Sequence, residues 1–396
     1  MKKSHSFAVL LALLVFVNSF TLLAGNAWQK LQLSPDEFFT HTYFSSPDIG
    51  WIVGFNGAIY ATQNHGLTWQ KQHSGTTQAL TGVYFTDPFN GWITGDSGLI
   101  LTTTNGGKTW SQRPTGTVSM LNAIVILPDG VGWAVGANGT ILKSEDHGAT
   151  WQSQTSGLTV DIENMSFVGT KGWAVAGGVI LSTNDGAGWT ILQQKITSYI
   201  SDIYFADSLH GWYSTLVGEI FHTSDGGLTW EAQESGLPHV IGTTKRLYSI
   251  QFVNTGVGWA VGELGIILHT TNGGATWTQE TSTTTVTLYS VCGVSATSCY
   301  AVGAQGVVVS TTPPSTVEND RNFPSPDEIR LIPNPSNGRV AIQGNFSEDA
   351  LVTIYSLTGV QLLEFRRYDT TALNFLAVGV YIVRIGNQST VLVKQE

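Results

Sequence analysis

Glu219 and Glu263 are the carboxylates best placed in this sequence to work as an acid–base pair. Each falls in a short turn of a repeated segment, and the two segments are neighbours. A pair of carboxyl groups about 5 to 9.5 Å apart can cleave a glycosidic bond, one as the acid and the other as nucleophile or base. Solvated turn residues are the plainer reading of both. No Gly-x-Ser-x-Gly turn, His-Glu-x-x-His motif, phosphate-cradling loop or calcium-loop spacing occurs in the chain, so neither a cofactor nor a metal site is expected. His65 and His147 lie in turn motifs where a solvent-facing polar residue is ordinary. Cys292 and Cys299 flank a turn, and in an exported protein they are expected to form a disulfide worth roughly 2 to 3 kcal/mol. With only two ligands and no nearby His, a zinc pair is the weaker reading of the cysteines.

These residues are carried by a repeat. Gly-Trp recurs at Trp51, Trp92, Trp133, Trp173, Trp212 and Trp259, with Cys299-Tyr300 as a seventh variant, roughly every 40 residues, the period of a four-stranded propeller blade. A second tryptophan follows within each of the first six segments, at Trp69, Trp110, Trp151, Trp189, Trp230 and Trp277. In the second segment the strands are expected from Leu80 to Thr86, Trp92 to Thr94, Leu99 to Thr103 and Thr109 to Gln112, with turn residues between them. The seventh segment meets Pro313-Pro314 before it reaches an outer strand. Trp28 lies as far before Trp51 as Trp69 lies before Trp92, so the N-terminal strand is expected to complete the last blade. The fold class is therefore all-β, a seven-bladed β-propeller over 28–312, closed by its own N-terminus.

The second tryptophan ends a box of the form Ser/Thr-x-Asp/Asn-x-Gly-x-Thr-Trp, as in Ser144 to Trp151 and Thr223 to Trp230. An Asp or Asn there accepts hydrogen bonds from its own turn, and Trp covers the hairpin. One carboxylate or amide per turn is too few for calcium. Usual propeller strand order puts the boxes on one face and the second-to-third-strand turns on the other. That second face would carry Asn56, Asp96, Asn138, Glu219, Glu263 and Gln305. It would also carry an insertion between Trp230 and Trp259 that includes Leu237, His239, Lys245 and Arg246. Its apolar residues beside basic ones make it the best candidate for a partner contact.

The chain ends carry other information. Lys2 and Lys3 precede an apolar stretch from Phe7 to Leu23, then Ala24-Gly25-Asn26-Ala27, so 1–27 reads as a secretory signal peptide and no transmembrane anchor is expected after its cleavage. The 396 residues carry a formal charge of -10, which makes nucleic acid an improbable partner. Residues 313–328 are proline-rich and read as a linker, and 329–396 contain short alternating strands that suggest a small β-sandwich.

The box resembles the Asp-box of sialidases, and the whole blade phrase, most fully spelled from Gly258 to Trp277, resembles the photosystem II assembly and stability factor family. The sialidase mechanism needs three arginines, whereas the propeller holds only Arg113 and Arg246. Resemblance to the assembly factors implies a propeller that holds another protein, with no site residues carried over. The tail is similar to the type A sorting domain of the Bacteroidetes type IX secretion system, through Leu331 to Pro335, Val352 to Gly359 and Gly379 to Ile385. That resemblance implies the type IX machinery as a partner, export across the outer membrane, and removal of the tail. The expected function is a non-catalytic, exported scaffold for a protein or peptide ligand; the alternative is a propeller that binds or hydrolyses carbohydrate.

Overall fold

The computed structural model describes residues 28–194, 196–237 and 245–311. It also describes the strands Arg330–Ile332, Ala341–Gln343, Leu351–Ser356, Gln361–Arg366, Gly379–Ile385 and Gln388–Lys394. The expected signal peptide and linker lie outside the described residues. Seven four-stranded antiparallel sheets follow one another along the chain. In blade two the strands are Leu80–Phe85, Gly91–Gly95, Ile100–Thr103 and Ser111–Arg113 from the centre outward. The second strand is buried along its whole length because neighbouring blades cover both its faces, while the outermost strand is largely exposed.

The repeated Gly-Trp is explained by what packs on it. In blade two the Phe85 ring lies against Gly91, where a Cβ would sit 2.3 Å from the ring. Trp51 of blade one stacks on the other side of Phe85, with centroids 3.4 Å apart, and Trp110 meets its edge at 6.0 Å. The same clamp joins Trp173 to Phe205 and Trp212 to Phe252, at 3.5 and 3.6 Å. Between blades seven and one, Tyr300 takes the tryptophan's part and stacks on Phe44 at 4.0 Å. At these junctions the first tryptophan therefore belongs energetically to two blades, since offset aromatic stacking adds to the burial of a large apolar surface.

The indole N–H extends this coupling. Trp92 Nε1 donates to the His147 carbonyl, Trp173 to Gly226 and Trp212 to Gly273, at 3.1, 2.9 and 3.1 Å, so each caps the box turn of the following blade. Trp133 and Trp259 find no such acceptor among the described residues. They face the two irregular blades, the fourth with its degraded box ending Gly188-Trp189 and the seventh with none. Within an intact box Asp146 accepts from Thr150 N at 2.8 Å, Thr150 Oγ1 at 2.6 Å and Ser144 Oγ at 2.8 Å. The Thr150 and Ser144 hydrogen bonds hold its carboxyl down at about 2. The boxes are hairpin staples.

Ring closure by the N-terminal strand is as expected. Gln29–Gln32 pairs antiparallel with Val307–Ser310, Gln29 opposite Ser310 and Gln32 opposite Val307. Trp28, 3% exposed, packs with Trp259, Val291 and Val309, and its Nε1 donates to Glu280 Oε2 at 2.7 Å. The cysteine expectation is corrected. Cys292 and Cys299 are both free. Cys292 is paired with Tyr300 and Cys299 with Gly293, so the two-residue period of adjacent strands turns the thiols to opposite faces of the sheet. Cys299 packs with Trp259 and Trp28, and Cys292 with Phe44 and Tyr300. In the C-terminal region Gln361–Arg366, Leu351–Ser356, Gly379–Ile385 and Gln388–Lys394 form one small sheet, beside the paired strands Arg330–Ile332 and Ala341–Gln343.

Two measurements check this account. Trp28→Ala should lower unfolding stability by about 3 to 5 kcal/mol, read from the denaturant midpoint, because it empties a buried site and loosens the closing strand. A surface-like loss of under about 0.5 kcal/mol would contradict closure by this residue. Both thiols should be silent to a thiol reagent in the native protein and should react on unfolding without reductant. A requirement for reductant would restore the disulfide.

Candidate binding site at the channel mouth

The first strands of the blades line a central channel, and backbone irregularities shape its entrance. In six of the seven blades the pairing of the first and second strands shifts by one residue near the start, as between Phe39 and His41, Ile200 and Asp202, and Leu247 and Ser249. A bulge of this kind presents two successive side chains on one side of a strand. Thr40 with His41, Ser201 with Asp202 and Tyr248 with Ser249 therefore all line the same mouth, a cavity of about 530 Å3. Phe38, Phe55, Tyr199 and Tyr289 complete its aromatic wall. Phe38 stacks on Phe55 at 4.5 Å and meets Tyr289 at 4.8 Å, and Tyr289 meets Tyr248 at 5.0 Å.

The mouth's polar side chains also stitch blade to blade. Thr40 Oγ1 donates to the Leu80 carbonyl at 2.7 Å, Thr81 to that of Leu121, and Asn122 Nδ2 to that of Ile162 at 2.9 Å. Amides of the following blade donate in return: Ile250 N to Asp202 Oδ2 at 2.8 Å, and Thr42 N to Ser290 Oγ at 3.2 Å. Asp202 is 5% exposed and also accepts from Ile203 N at 2.8 Å and Asn164 Nδ2 at 2.5 Å. Burial raises its carboxyl to about 6 despite those donors. Burial also lifts Glu163, whose Oε1 accepts from the Tyr199 hydroxyl, and nearby Asp161 adds to the rise. His41 is pushed by burial down to about 4 and is neutral at neutral pH.

None of the residues singled out in the sequence lines this cavity. Asn56, Asn138 and Gln305 are exposed at the tips of the second-to-third-strand turns, and Asp96 is half-buried in its turn. Glu219 accepts from Ser198 Oγ at 2.5 Å and Thr215 Oγ1 at 3.4 Å. Glu263 Oε2 accepts from Arg246 N at 3.2 Å, while its Oε1 lies 3.6 Å from Arg246 Nε. Both glutamates are thus engaged as turn staples, and Arg246 further bonds Tyr248 of the mouth. Lys245 is half-buried at the insertion's end, His239 lies outside the described residues, and Leu237 is buried against Trp212 rather than exposed.

The apolar surface of this face had no motif to announce it. Phe55, Val118, Met120, Val160, Tyr199, Val217 and Leu264 are all exposed in the turns and connections of this face. Leu264 is the least ordinary of them. It is 56% exposed and sits at φ 56°, a left-handed conformation that the equivalent positions give to Asn56, Ser97, Asn138 and Gln305. Both solvation and backbone sterics disfavour leucine there.

Fold and site together define a seven-bladed β-propeller with a ligand-sized opening on the face away from its Asp-boxes. The chain belongs to the family of the photosynthesis system II assembly factor YCF48, whose model matches residues 21–119 and 181–312. Residues 330–395 match the secretion system C-terminal sorting domain, which marks the chain for export to the cell surface or beyond. A structure of YCF48 bound to D1 peptide is similar at 22% identity and TM-score 0.63, covering 73% of this chain and 97% of that one. YCF48 from Cyanidioschyzon merolae is similar at 20% identity and TM-score 0.61, covering 72% and 98%. A GH74 xyloglucanase from Xanthomonas campestris shares the fold at 11% identity and TM-score 0.60, covering 86% and 63%. No curated protein matches the chain.

The two buried channel groups should oppose each other as pH changes. Asp202 holds its proton better folded than unfolded, so its contribution is complete below pH 3.8 and is lost as the pH rises through about 6. For His41, depressed from 6.5 to about 4, the contribution is complete above pH 6.5 and is lost as the pH falls through about 4. Stability of the natural protein should change little between these limits. His41→Gln should leave stability falling as pH rises, and Asp202→Asn should leave it rising. Denaturant midpoints across about pH 4 to 7 would read this, and parallel profiles in all three proteins would refute it.

Proposed function

We propose that the exported propeller is a non-catalytic scaffold that takes a protein segment or peptide at its channel mouth. The observation that carries this is the set of exposed apolar side chains on that face, Phe55 and Tyr199 in the wall of the opening and Leu264 further out in a separate groove, where it is held against both solvation and backbone preference. An exposed apolar patch of this kind is ordinarily kept for a partner, and unfavourable backbone geometry persists where function uses it. The engagement of Glu219 by Ser198 and of Glu263 by Arg246 supports a bracing role for this pair over the glycosidase alternative. The YCF48 structure above is described as bound to D1 peptide, and a peptide is the ligand class proposed here. The YCF48 family membership and the sorting domain support a scaffold carried to the cell exterior.

Leu264 separates binding from folding. Leu264→Asn should stabilise the protein by about 0.5 to 1 kcal/mol, since Asn tolerates the left-handed region, while weakening partner capture at least tenfold. Leu228→Asn, at an exposed position on the box face, should leave capture unchanged. The readout is quantitative capture from an outer-membrane extract by the mature protein, with melting curves in parallel and a glycan array beside it. Equal capture by both variants, or binding to glycans alone, would overturn the proposal.

A further inference from the structure

Resting on that reading, we propose that the mouth seats a lysine or arginine side chain of the bound peptide between its aromatic rings and the Glu163 and Asp202 carboxylates. Those two carboxylates line the mouth, and no Lys or Arg does among the described residues. Asp202 is surrounded by neutral donors, the amides of Ile203 and Ile250 and the Asn164 side chain. Glu163 meets a tyrosine hydroxyl, with a further acid, Asp161, close enough to disfavour its ionisation. The remaining titratable neighbour on the wall, His41, is uncharged at neutral pH. Arg246, at the end of the neighbouring insertion, lies 3.6 Å from Glu263, which offsets its charge. Among the described residues, the wall of the opening therefore holds carboxylates with no Lys or Arg to offset them.

The remaining wall favours the same ligand chemistry. Phe38, Tyr248 and Tyr289 form a contiguous aromatic surface on the wall of the same cavity, with centroid separations of 4.8 and 5.0 Å. Aromatic faces attract ammonium and guanidinium groups, and more strongly once water is excluded. The long aliphatic stem of Lys or Arg matches the apolar side chains of that wall, which its charged end must pass. A cavity of about 530 Å3 holds such a side chain with some of its flanking backbone. A neutral apolar side chain would fill the same space but would desolvate the carboxylates further without supplying a counter-charge, which costs binding free energy.

The test uses a phage-displayed library of random peptides about twelve residues long, selected on the mature full-length protein. Selected peptides are expected to be enriched several-fold in Lys and Arg at one position. Replacing that residue by Ala in a synthetic peptide should weaken binding about tenfold, and Glu163→Gln should do the same. With Glu163→Gln in place the peptide's Ala substitution should cost little more, since the two changes remove one interaction. Gln keeps the acceptor for Tyr199, so the fold should be retained, and a melting curve checks it. Peptides that bind natural protein but not Tyr289→Ala, yet show no cationic enrichment and no response to Glu163→Gln, would overturn the cation seat and leave the scaffold reading standing. If no selected peptide depends on Tyr289, both fall.

Discussion

The architecture depends on a side chain, phenylalanine at most junctions and Ile126 in blade three, held between a glycine of its own blade and an aromatic residue of the blade before. At Phe85 the Gly91 backbone is so close that no Cβ could be accommodated, and Trp51 lies flat on the opposite side. Because the two sides of the clamp come from different blades, each junction fixes the angle at which the next blade sets out. Repetition of a fixed angle closes a ring, and the last junction, Tyr300 on Phe44, obeys the same geometry with tyrosine in the tryptophan's role. Glycine and tryptophan in this phrase are thus one packing device, and neither is a ligand-binding feature. The irregular fourth and seventh blades reveal the design by failing it locally: Trp133 and Trp259 keep their burial but lose the carbonyl that a complete box offers the other indoles.

A ring fixed at that radius leaves the channel entrance free to vary. The clamps lie toward the box face, and the first strands reach the opposite face through bulges that bring Thr40, Ser201 and Tyr248 beside their successors in the mouth. Hydrogen bonds from these side chains to the next blade make the wall rigid, so aromatic and acidic groups are held in place before any ligand arrives. Preorganisation of this sort lowers the ordering cost of binding. Negative charge at the mouth also accords with the acidic balance of the whole chain.

Ring size, blade boundaries and the completion of blade seven by Trp28 were legible in the sequence because they rest on periodicity, and a spacing carries over from one blade to another. The site was not. Most of its residues occupy the second and third positions of the first strands, where Thr, Asn, Ser and Tyr alternate without a motif, and what gathers them is a shift in strand pairing that leaves no mark on residue type. Sequence reasoning went to the charged turn residues instead, and the structure uses Glu219 and Glu263 to brace their own loops. One available signal was passed over: Leu264 stands where four other blades have Asn56, Ser97, Asn138 and Gln305 before a Gly, which is odd on an exposed turn. The cysteine pair failed for a related reason, since closeness along a hairpin says nothing of which face each side chain takes.

The claim that most needs testing is that the ligand enters at the mouth. A photo-crosslinking amino acid placed at Tyr289, and in a separate protein at Leu228 on the box face, would address it directly in intact cells. Crosslinking of one discrete partner from position 289 and none from position 228 is the predicted result. The same partner crosslinked from 228 and absent at 289 would contradict the account and move the binding surface to the boxes.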